Sequence, residues 1–166
     1  MGYTTEFKGH FTLTPALTEA QVAYLNAFSG SRRVQRDAEA CETINDEVRA
    51  AVGLPVGKEG GYCVYSAQDG NYGQNSDKTV INNNEPPDGQ PGLWCQWVSN
   101  ETGDRLKWDG GEKFYYYEEW LHYINDNFLK PWGIVIDGAV KWQGEEMDDR
   151  GEIEADEGII TNRSLE

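Results

Sequence analysis

The sequence predicts an α+β fold in which an antiparallel sheet is packed by two main helices, all within a single domain of residues 1–164. Short segments in which apolar and polar residues alternate recur along the chain, and only two long segments repeat apolar residues at the three- and four-residue spacing of a helix. Strands and helices do not alternate regularly, which argues against a parallel sheet. A length of 166 residues is also typical of one domain. Residues 165–166 are interpreted as a tag junction.

The first predicted elements are a strand and a helix. Residues 4–13 alternate between polar and apolar side chains, as a half-buried strand does. Thr18 and Gln21 have the spacing of a capping box, which predicts a helix that begins there and ends at Gly30. A short helix is predicted over residues 46–52, before a Gly and a Pro.

The middle of the chain is predicted to hold a short strand, a loop and a hairpin. The strand is GYCVYS, residues 61–66, and the loop is the long polar stretch 68–92, which is rich in Gly, Asn, Asp and Pro. The segments 93–100 and 105–109 read as two strands of a hairpin joined by a four-residue turn. A loop as long as 68–92 is usually functional or disordered, so it is also a candidate binding surface.

The C-terminal part is predicted to contain the clearest helix and two hairpins. Apolar residues recur at helical spacing over residues 114–129. Tyr115, Tyr116 and Trp120 fall outside that stripe and form either a second buried face or an exposed patch. Asp137-Gly138 is predicted to be the turn of one hairpin and residues 156–158 the turn of another.

The composition excludes several classes of partner. Lys plus Arg number 14 against 29 Asp plus Glu, a formal net charge of −15. A field of this sign repels nucleic acid and anionic membrane surfaces, so neither direct nucleic-acid binding nor a membrane role is expected. A basic protein is the partner that the charge favours. The sequence shows no signal-like start and no bilayer-length apolar run, so we expect a cytoplasmic location.

Motifs for catalysis, metals and cofactors are missing from the sequence. The common hydrolase, protease and nucleotide-binding signatures are absent, so no catalytic residue and no cofactor is predicted. Cys41, Cys63 and Cys95 are odd in number and widely spaced, which indicates neither a disulfide framework nor a zinc site and favours a reducing compartment. Residues 69–77 place oxygen-bearing side chains as a calcium loop does but lack its central glycine and final glutamate, so no metal is predicted.

Several blocks of sequence resemble those of a known family. These blocks are GYTTEFKGHFTL, QPGLWCQWV, WDGGEKFYYYEEWLHYI and KPWG. The chain resembles an uncharacterised family of acidic proteins carried by phages and bacterial genomes. The resemblance implies a phage or mobile-element setting, and in that case a bacterial host cell, but it implies no activity and no site residue.

The negative charge is concentrated toward the C-terminus. Residues 101–166 contain 17 acids and 7 bases, whereas residues 1–100 contain 12 acids and 7 bases. Within residues 145–157 eight acids meet a single base, Arg150. The charge therefore points to one segment as the candidate interaction site.

That segment is predicted to form an acidic face. Strand alternation places its last three acidic residues on one side, about 6.6 Å apart, a spacing comparable with that of successive phosphates in a nucleic acid. The face could imitate DNA or dock a basic protein; alternatively, it is a solvated surface that keeps an exposed strand from pairing with other chains. Its residues are Glu145, Glu146, Asp148, Asp149, Glu152, Glu154 and Asp156.

A second candidate site is built around the only cluster of bases. Its arginines either pair internally with the acidic face or bind a phosphate-bearing ligand together with aromatic residues near the 68–92 loop. The residues of this site are Arg32, Arg33, Arg36, Tyr65 and Tyr72.

Three functions are consistent with these observations. The leading hypothesis is a non-enzymatic acidic protein that binds and inhibits a basic host protein, such as a defence or nucleic-acid-binding protein. The first alternative is a protein or enzyme that binds a nucleotide or a sugar at the arginine cluster. The second alternative is a structural component of a phage particle, which would require symmetric self-association.

Overall fold

In the computed structural model, which describes residues 2–68 and 70–165, the chain forms two compact units. The first comprises Met1–Thr18 and Gln96–Glu166, and the second comprises Glu19–Cys95. The predicted α+β class is confirmed, because an antiparallel six-stranded sheet is combined with helices. Folding of residues 1–164 as one domain stays a prediction. The first residue of the calcium-like segment, Asp69, and the last of the tag junction, Glu166, lie outside the described residues.

The regular elements follow one another along the chain, with the longest connections on either side of residues 80–82. In chain order they are β1 (Glu6–Thr14), α1 (Glu19–Ser29), β2 (Gln35–Arg36), α2 (Ala38–Glu42), α3 (Glu47–Ala51), β3 (Val80–Asn82), β4 (Trp97–Ser99), β5 (Arg105–Trp108), α4 (Tyr117–Ile124), β6 (Val135–Gln143), β7 (Arg150–Asp156) and β8 (Ile159–Ser164). Single 3₁₀ turns occur at Lys58–Gly60 and Tyr65–Gln68, and α4 continues as a π-helical turn at Asn125–Leu129.

The first unit is built on the six-stranded sheet, whose order is β4-β5-β1-β6-β7-β8. Every pair of neighbours is antiparallel. Alternation along the strands buries one face, and α4 packs against that inner face: Trp97 Nε1 donates to the Tyr117 carbonyl at 2.8 Å, and the rings of Phe7 and Tyr117 lie 5.0 Å apart. The opposite face, called the outer face here, carries the exposed side chains of the same strands.

The second unit contains the three helices α1 to α3 and one two-stranded ribbon of β2 and β3. α1 buries Tyr24, Leu25 and Phe28. The Tyr24 hydroxyl donates to the Tyr62 carbonyl at 2.8 Å, which ties the helix to the segment that follows α3. Ribbon strand β3 lies inside the predicted 68–92 loop.

Most predicted elements are confirmed close to their expected bounds. These are the first strand, the helix that ends before Gly30, the short helix after residue 46, the central hairpin and the final hairpin. The central hairpin is shorter than predicted, and α4 begins at Tyr117 rather than at residue 114. The final turn consists of Glu157 and Gly158 at φ 48° and 85°, the conformation that a tight two-residue hairpin requires.

Two predicted elements are wrong. Residues 61–66 form turns and part of a 3₁₀ helix instead of a strand. Asp137-Gly138 is not a turn, because β6 passes straight through it and pairs with β1 along its whole length. Gly138 has φ 114°, and a Cβ there would lie 3.2 Å from the His10 carbonyl oxygen, so this glycine marks a close approach of two strands.

None of the helices in the described part of the chain combines the length and apolar character needed to cross a bilayer.

Candidate functional site

The structure divides the predicted acidic face into two surfaces of the first unit. Glu152, Glu154 and Asp156 follow one another along the outer face of β7, and Ile153 and Ala155 are buried on its inner face, as the alternation predicts. The other four acidic residues belong to the loop 144–149, which joins β6 to β7. The two groups of acidic residues therefore have different neighbours.

One member of the outer-face group, Glu152, lies among bases, whereas Glu154 and Asp156 lie opposite uncharged residues on the neighbouring strands. Glu152 accepts a hydrogen bond from Arg163 Nη2 at 2.9 Å and lies opposite Lys141 in the β6–β7 register. Lys8 on β1 lies opposite Lys141 on β6, and Arg150 lies two residues before Glu152 on β7. A surface with both signs of charge this close together does not imitate the uniform charge of a phosphate backbone.

The outer face also has a cavity with a basic lining. Lys8, Lys141 and Arg150 border a depression of about 280 Å³, together with the single acid Glu6. The alternative that the acidic residues protect an exposed strand is wrong for β7, because β7 lies between β6 and β8 inside the sheet.

The acids of the β6–β7 loop belong to a different surface, which we call the acidic–aromatic patch. It combines exposed tyrosines with carboxylates from the loop and from the first turn of α4. Its residues are Tyr3, Tyr115, Tyr116, Glu118, Glu119, Glu145, Glu146, Asp148 and Asp149.

Tyr3 organises the loop part of the patch. Its hydroxyl accepts the backbone N–H groups of Glu145 and Glu146 at 3.0 and 3.3 Å and donates to the Asp149 carboxylate. The hydrogen bond to Asp149 raises the pKa of Tyr3 above its usual value, and burial raises it further. The Tyr3 N–H donates to the Tyr115 hydroxyl at 3.3 Å, which links the loop to the segment before α4.

Tyr116 occupies the N-cap position of α4 in an unusual backbone conformation. Its φ is 59°, in the left-handed region that non-glycine residues rarely adopt, and 56% of its surface is exposed. Holding such a residue there costs on the order of 1–3 kcal/mol, a strain that clusters at functional sites. In this conformation the Tyr116 ring is exposed to solvent, two residues before Glu118.

The patch has a strongly negative local field. Burial and then the charges of Asp149, Glu118 and Glu119 together raise the pKa of Tyr117 to about 12. Tyr117 packs beneath the patch with its ring 6.0 Å from that of Trp142. The field thus reaches a neighbouring phenol, and it favours cations at the surface above.

A small cavity opens within the patch. Its volume is about 210 Å³, and Tyr116, Tyr117, Glu118, Glu119 and Asn162 line it. Asn162 Nδ2 donates to Glu118 Oε1 at 3.0 Å, which fixes that carboxylate at the rim. An aromatic ring beside carboxylates is the arrangement that receives a guanidinium or ammonium group.

The structure places the arginine cluster in the second unit and buries two of its members. Arg33 is 3% exposed; its Nη2 donates to the Gly61 and Cys63 carbonyls at 2.9 and 3.0 Å, and its guanidinium lies 4.2 Å from the Phe28 ring centroid. Arg32 is half-buried and donates from Nε to the Asn83 carbonyl at 3.1 Å. The guanidinium groups of Arg32 and Arg33 therefore donate to backbone carbonyls of the chain itself.

Arg36 and Tyr65 do come together, as the second candidate site requires. Arg36 Nη1 donates to the Tyr65 hydroxyl, to Asp77 Oδ2 and to Thr79 Oγ1 at 2.6, 3.0 and 2.9 Å. Tyr72 has an exposed ring, and its carbonyl accepts the Arg32 N–H at 2.8 Å. The arginines thus anchor the 68–92 segment, and the ion-pair partner of Arg36 is Asp77.

The Arg36 network makes stability depend on pH. Burial alone would raise the pKa of Asp77, but hydrogen bonds from the Thr79 side chain and N–H and from Tyr65, together with the Arg36 charge, hold that pKa below its usual value. A carboxylate with a lowered folded pKa stabilises the fold above its unfolded pKa, and this stabilisation is lost as the pH falls through the folded value. We expect Asp77→Asn to cost about 1 kcal/mol at about pH 6, since Asp77 is partly exposed, and less at about pH 3.

Urea unfolding at the two pH values measures this difference. Asp88→Asn is the control, because Asp88 pairs with Lys58 at 2.6 Å on an exposed surface. Its effect should vanish in about 0.5 M salt, whereas that of Asp77→Asn should persist. Equal salt sensitivity of the two variants would contradict a partly buried network around Asp77.

Metal ligands are not brought together in the part of the chain that the structure describes, where no group of three or more His, Cys, Asp or Glu side chains is placed to hold an ion. No protein-family model, curated protein or solved structure matches this chain. The two acidic surfaces and the arginine network are the features of this chain that bear on its class.

Sequence reasoning identified the loop acids of the patch and left an exposed patch open for Tyr115 and Tyr116, but it assigned neither these tyrosines, nor Tyr3, nor the two α4 glutamates to the site. The available signal was that Tyr115 and Tyr116 fall outside the apolar stripe of their helix, and both are exposed. Trp120, which shares that property, is fully buried. Nothing in the sequence indicates that Tyr3 meets residues 145–149.

Proposed function

We propose that this chain is a non-enzymatic interaction protein that binds a basic host protein through the acidic–aromatic patch and thereby blocks it. The proposal keeps the phage setting that the family resemblance implies, and with it the cytoplasm of a bacterial host. The observation that supports the proposal most strongly is that Tyr3, Tyr115 and Tyr116 are exposed on the same surface as six carboxylates. The partner contributes a cationic surface.

The composition of the patch resembles that of an interface rather than of a solvated surface. Aromatic residues are enriched in binding hot spots, because they bury a large area at a small entropic cost. Charged side chains around them steer a partner of opposite sign and set the salt dependence of its association. Tyr116 and the adjacent carboxylates line a cavity that has room for one lysine or arginine side chain.

The outer face of the sheet supports this proposal less well. Lys8, Lys141, Arg150 and Arg163 lie on this face around Glu152, so a basic partner would meet repulsion as well as attraction there. The second candidate site is also less favourable, since the guanidinium of Arg33 is buried among backbone carbonyls. The patch is thus the surface whose chemistry fits a basic partner best.

The double variant Tyr116→Asn/Glu119→Lys tests the proposal. Asparagine tolerates the left-handed backbone at position 116, so the fold is kept while the ring and one carboxylate are removed. We expect the immobilised variant to capture at least about tenfold less of a basic protein from bacterial lysate than the wild type, equivalent to about 1.4 kcal/mol of binding. Mass spectrometry of eluates at increasing salt measures the retained protein.

The matched control is Tyr72→Asn/Glu154→Lys. Tyr72 is also an exposed tyrosine at positive φ, 55°, and Glu154 is an exposed acid of the outer face, so the chemical changes are identical. The control should retain the partner as the wild type does. Loss of capture in the control alone would move the site away from the patch, and a wild type that retains no basic protein at low salt would overturn the proposed function.

A further inference from the structure

Two cysteines that are far apart in the sequence meet in the core of the second unit. Cys41 lies on α2 and Cys63 just before the Tyr65–Gln68 turn; with Val56 they form a buried cluster and are 1% and 3% exposed. The two side chains share this cluster, and each perturbs the acidity of the other. Both are free thiols in this structure, as is Cys95.

Cys41 has a polar and positively charged surrounding that a structural core cysteine does not need. The stem of Arg36 lies beside it: a side chain added at Gly60 would meet Cys41 Sγ at 3.2 Å and Arg36 Cδ at 3.4 Å. Arg36 is 3% exposed, and its Nη2 has no hydrogen-bond partner among the described residues. An unpaired, buried guanidinium N–H in this part of the core favours a negative charge nearby.

The acidities of the two thiols differ in the direction that this surrounding predicts. The hydrogen bond from Cys63 lowers the pKa of Cys41, and the hydrogen bond with Thr79 and the Arg36 charge lower it further against the effect of burial. The same pairing and burial raise the pKa of Cys63. Cys41 is therefore the thiol that ionises first, and Cys63 keeps its proton.

One side chain contacts both the cysteine pair and the surface cavities. Tyr65 packs against the cysteine cluster and also lines two cavities of about 290 and 300 Å³ that open to the surface. A small molecule from either cavity would reach the sulfurs once the Tyr65 hydroxyl leaves Arg36, Asp77 and Thr79, to which it is hydrogen-bonded. A large reagent would not reach them without unfolding.

We propose that Cys41 and Cys63 form an oxidisable dithiol, which hydrogen peroxide converts to an intramolecular disulfide. The Cys41 thiolate attacks one peroxide oxygen; the O–O bond breaks, Cys41 becomes a sulfenic acid, and the leaving hydroxide takes up a proton to give water. Cys63 then attacks the Cys41 sulfur; the S–S bond forms, the S–O bond breaks, and the thiol proton leaves with the hydroxyl group as a second water. The two thiols lose two electrons, and the peroxide gains them.

Treatment of the folded wild-type protein with hydrogen peroxide, followed by intact-mass and peptide analysis, tests the proposal. We expect a loss of two hydrogen atoms that maps to one peptide pair joining Cys41 to Cys63 and is reversed by dithiothreitol. The oxidised protein should melt about 5 °C higher, because the new bond restricts the unfolded chain. In Cys63→Ser the reaction should stop at a Cys41 sulfenic acid that dimedone traps.

Cys95→Ala provides the control, since this buried cysteine lies outside the cluster, and its oxidation should match that of the wild type. A disulfide or adduct at Cys95, a sulfinic acid at Cys41 without a disulfide, or unreacted thiols after peroxide treatment would each overturn the proposal. None of these outcomes depends on the acidic–aromatic patch, so the result is independent of the proposed function.

Discussion

Replacing Arg33 with methionine is expected to lower the free energy of unfolding by about 3–4 kcal/mol. Methionine retains much of the apolar stem, so the loss reports mainly on the guanidinium. That group donates to the Cys63 carbonyl, to Ser31 Oγ at 3.0 Å and to Gln90 Oε1 at 3.4 Å. Buried acceptors that lose a charged donor and gain no water destabilise the folded state, and the cation–π contact with Phe28 is lost as well.

Equilibrium urea unfolding measures this loss, with Arg32→Met as the matched control. Arg32 is the preceding residue and carries the same charge, but it is half-buried and donates from Nε to one carbonyl. Its substitution should cost less than about 1 kcal/mol. Similar losses in the two variants would mean that charge rather than the buried network stabilises this unit.

Replacing Trp97 with alanine is expected to lower the free energy of unfolding by about 3–5 kcal/mol. Trp97 is fully buried at the centre of an aromatic cluster, with ring centroids 5.5, 5.8 and 5.4 Å from those of Phe7, Phe11 and Phe114. Its indole N–H also holds the Tyr117 carbonyl at the start of α4. Alanine would leave a cavity and also free the first turn of the helix that carries part of the patch.

Trp108 is the cross-strand partner of Trp97 and serves as its control. Trp108 is half-buried, and its ring centroid lies 5.3 Å from that of Phe7. Its indole Nε1 donates to Gln96 Oε1 at 3.0 Å. We expect Trp108→Ala to cost about half as much as Trp97→Ala, since less of its surface leaves water on folding. Trp97→Phe should fall between them. A larger loss for Trp108 would place the stabilising contacts at the edge of the cluster.

Local patterns in the sequence were sufficient for most elements of the first unit and for α1. Alternation identified β1, β7 and β8, because a strand with one buried face must repeat with period two. The Asp137-Gly138 turn was wrong for a reason that no local pattern reveals. A glycine followed by apolar residues also occurs where another strand passes close by, and here that strand is β1, far away in the sequence.

The second unit was harder to predict, because its order depends on contacts between distant polar residues. Arg36 holds Asp77 and Thr79 across some forty residues, which gives the polar 68–92 segment a fixed position without an apolar pattern. The failed strand at 61–66 has the same origin: its apolar residues pack into the cysteine cluster instead of pairing in a sheet.

The sequence by itself determined the negative charge, its concentration after residue 100 and the alternation that exposes Glu152, Glu154 and Asp156. Only the tertiary structure decided which of these charges have neighbours of opposite sign. It placed Arg163 and Lys141 beside Glu152, and it brought Tyr3 to the acids of the β6–β7 loop. The physical reason is that the electrostatic environment of a side chain depends on its neighbours in space, and in an antiparallel sheet those neighbours come from distant parts of the chain.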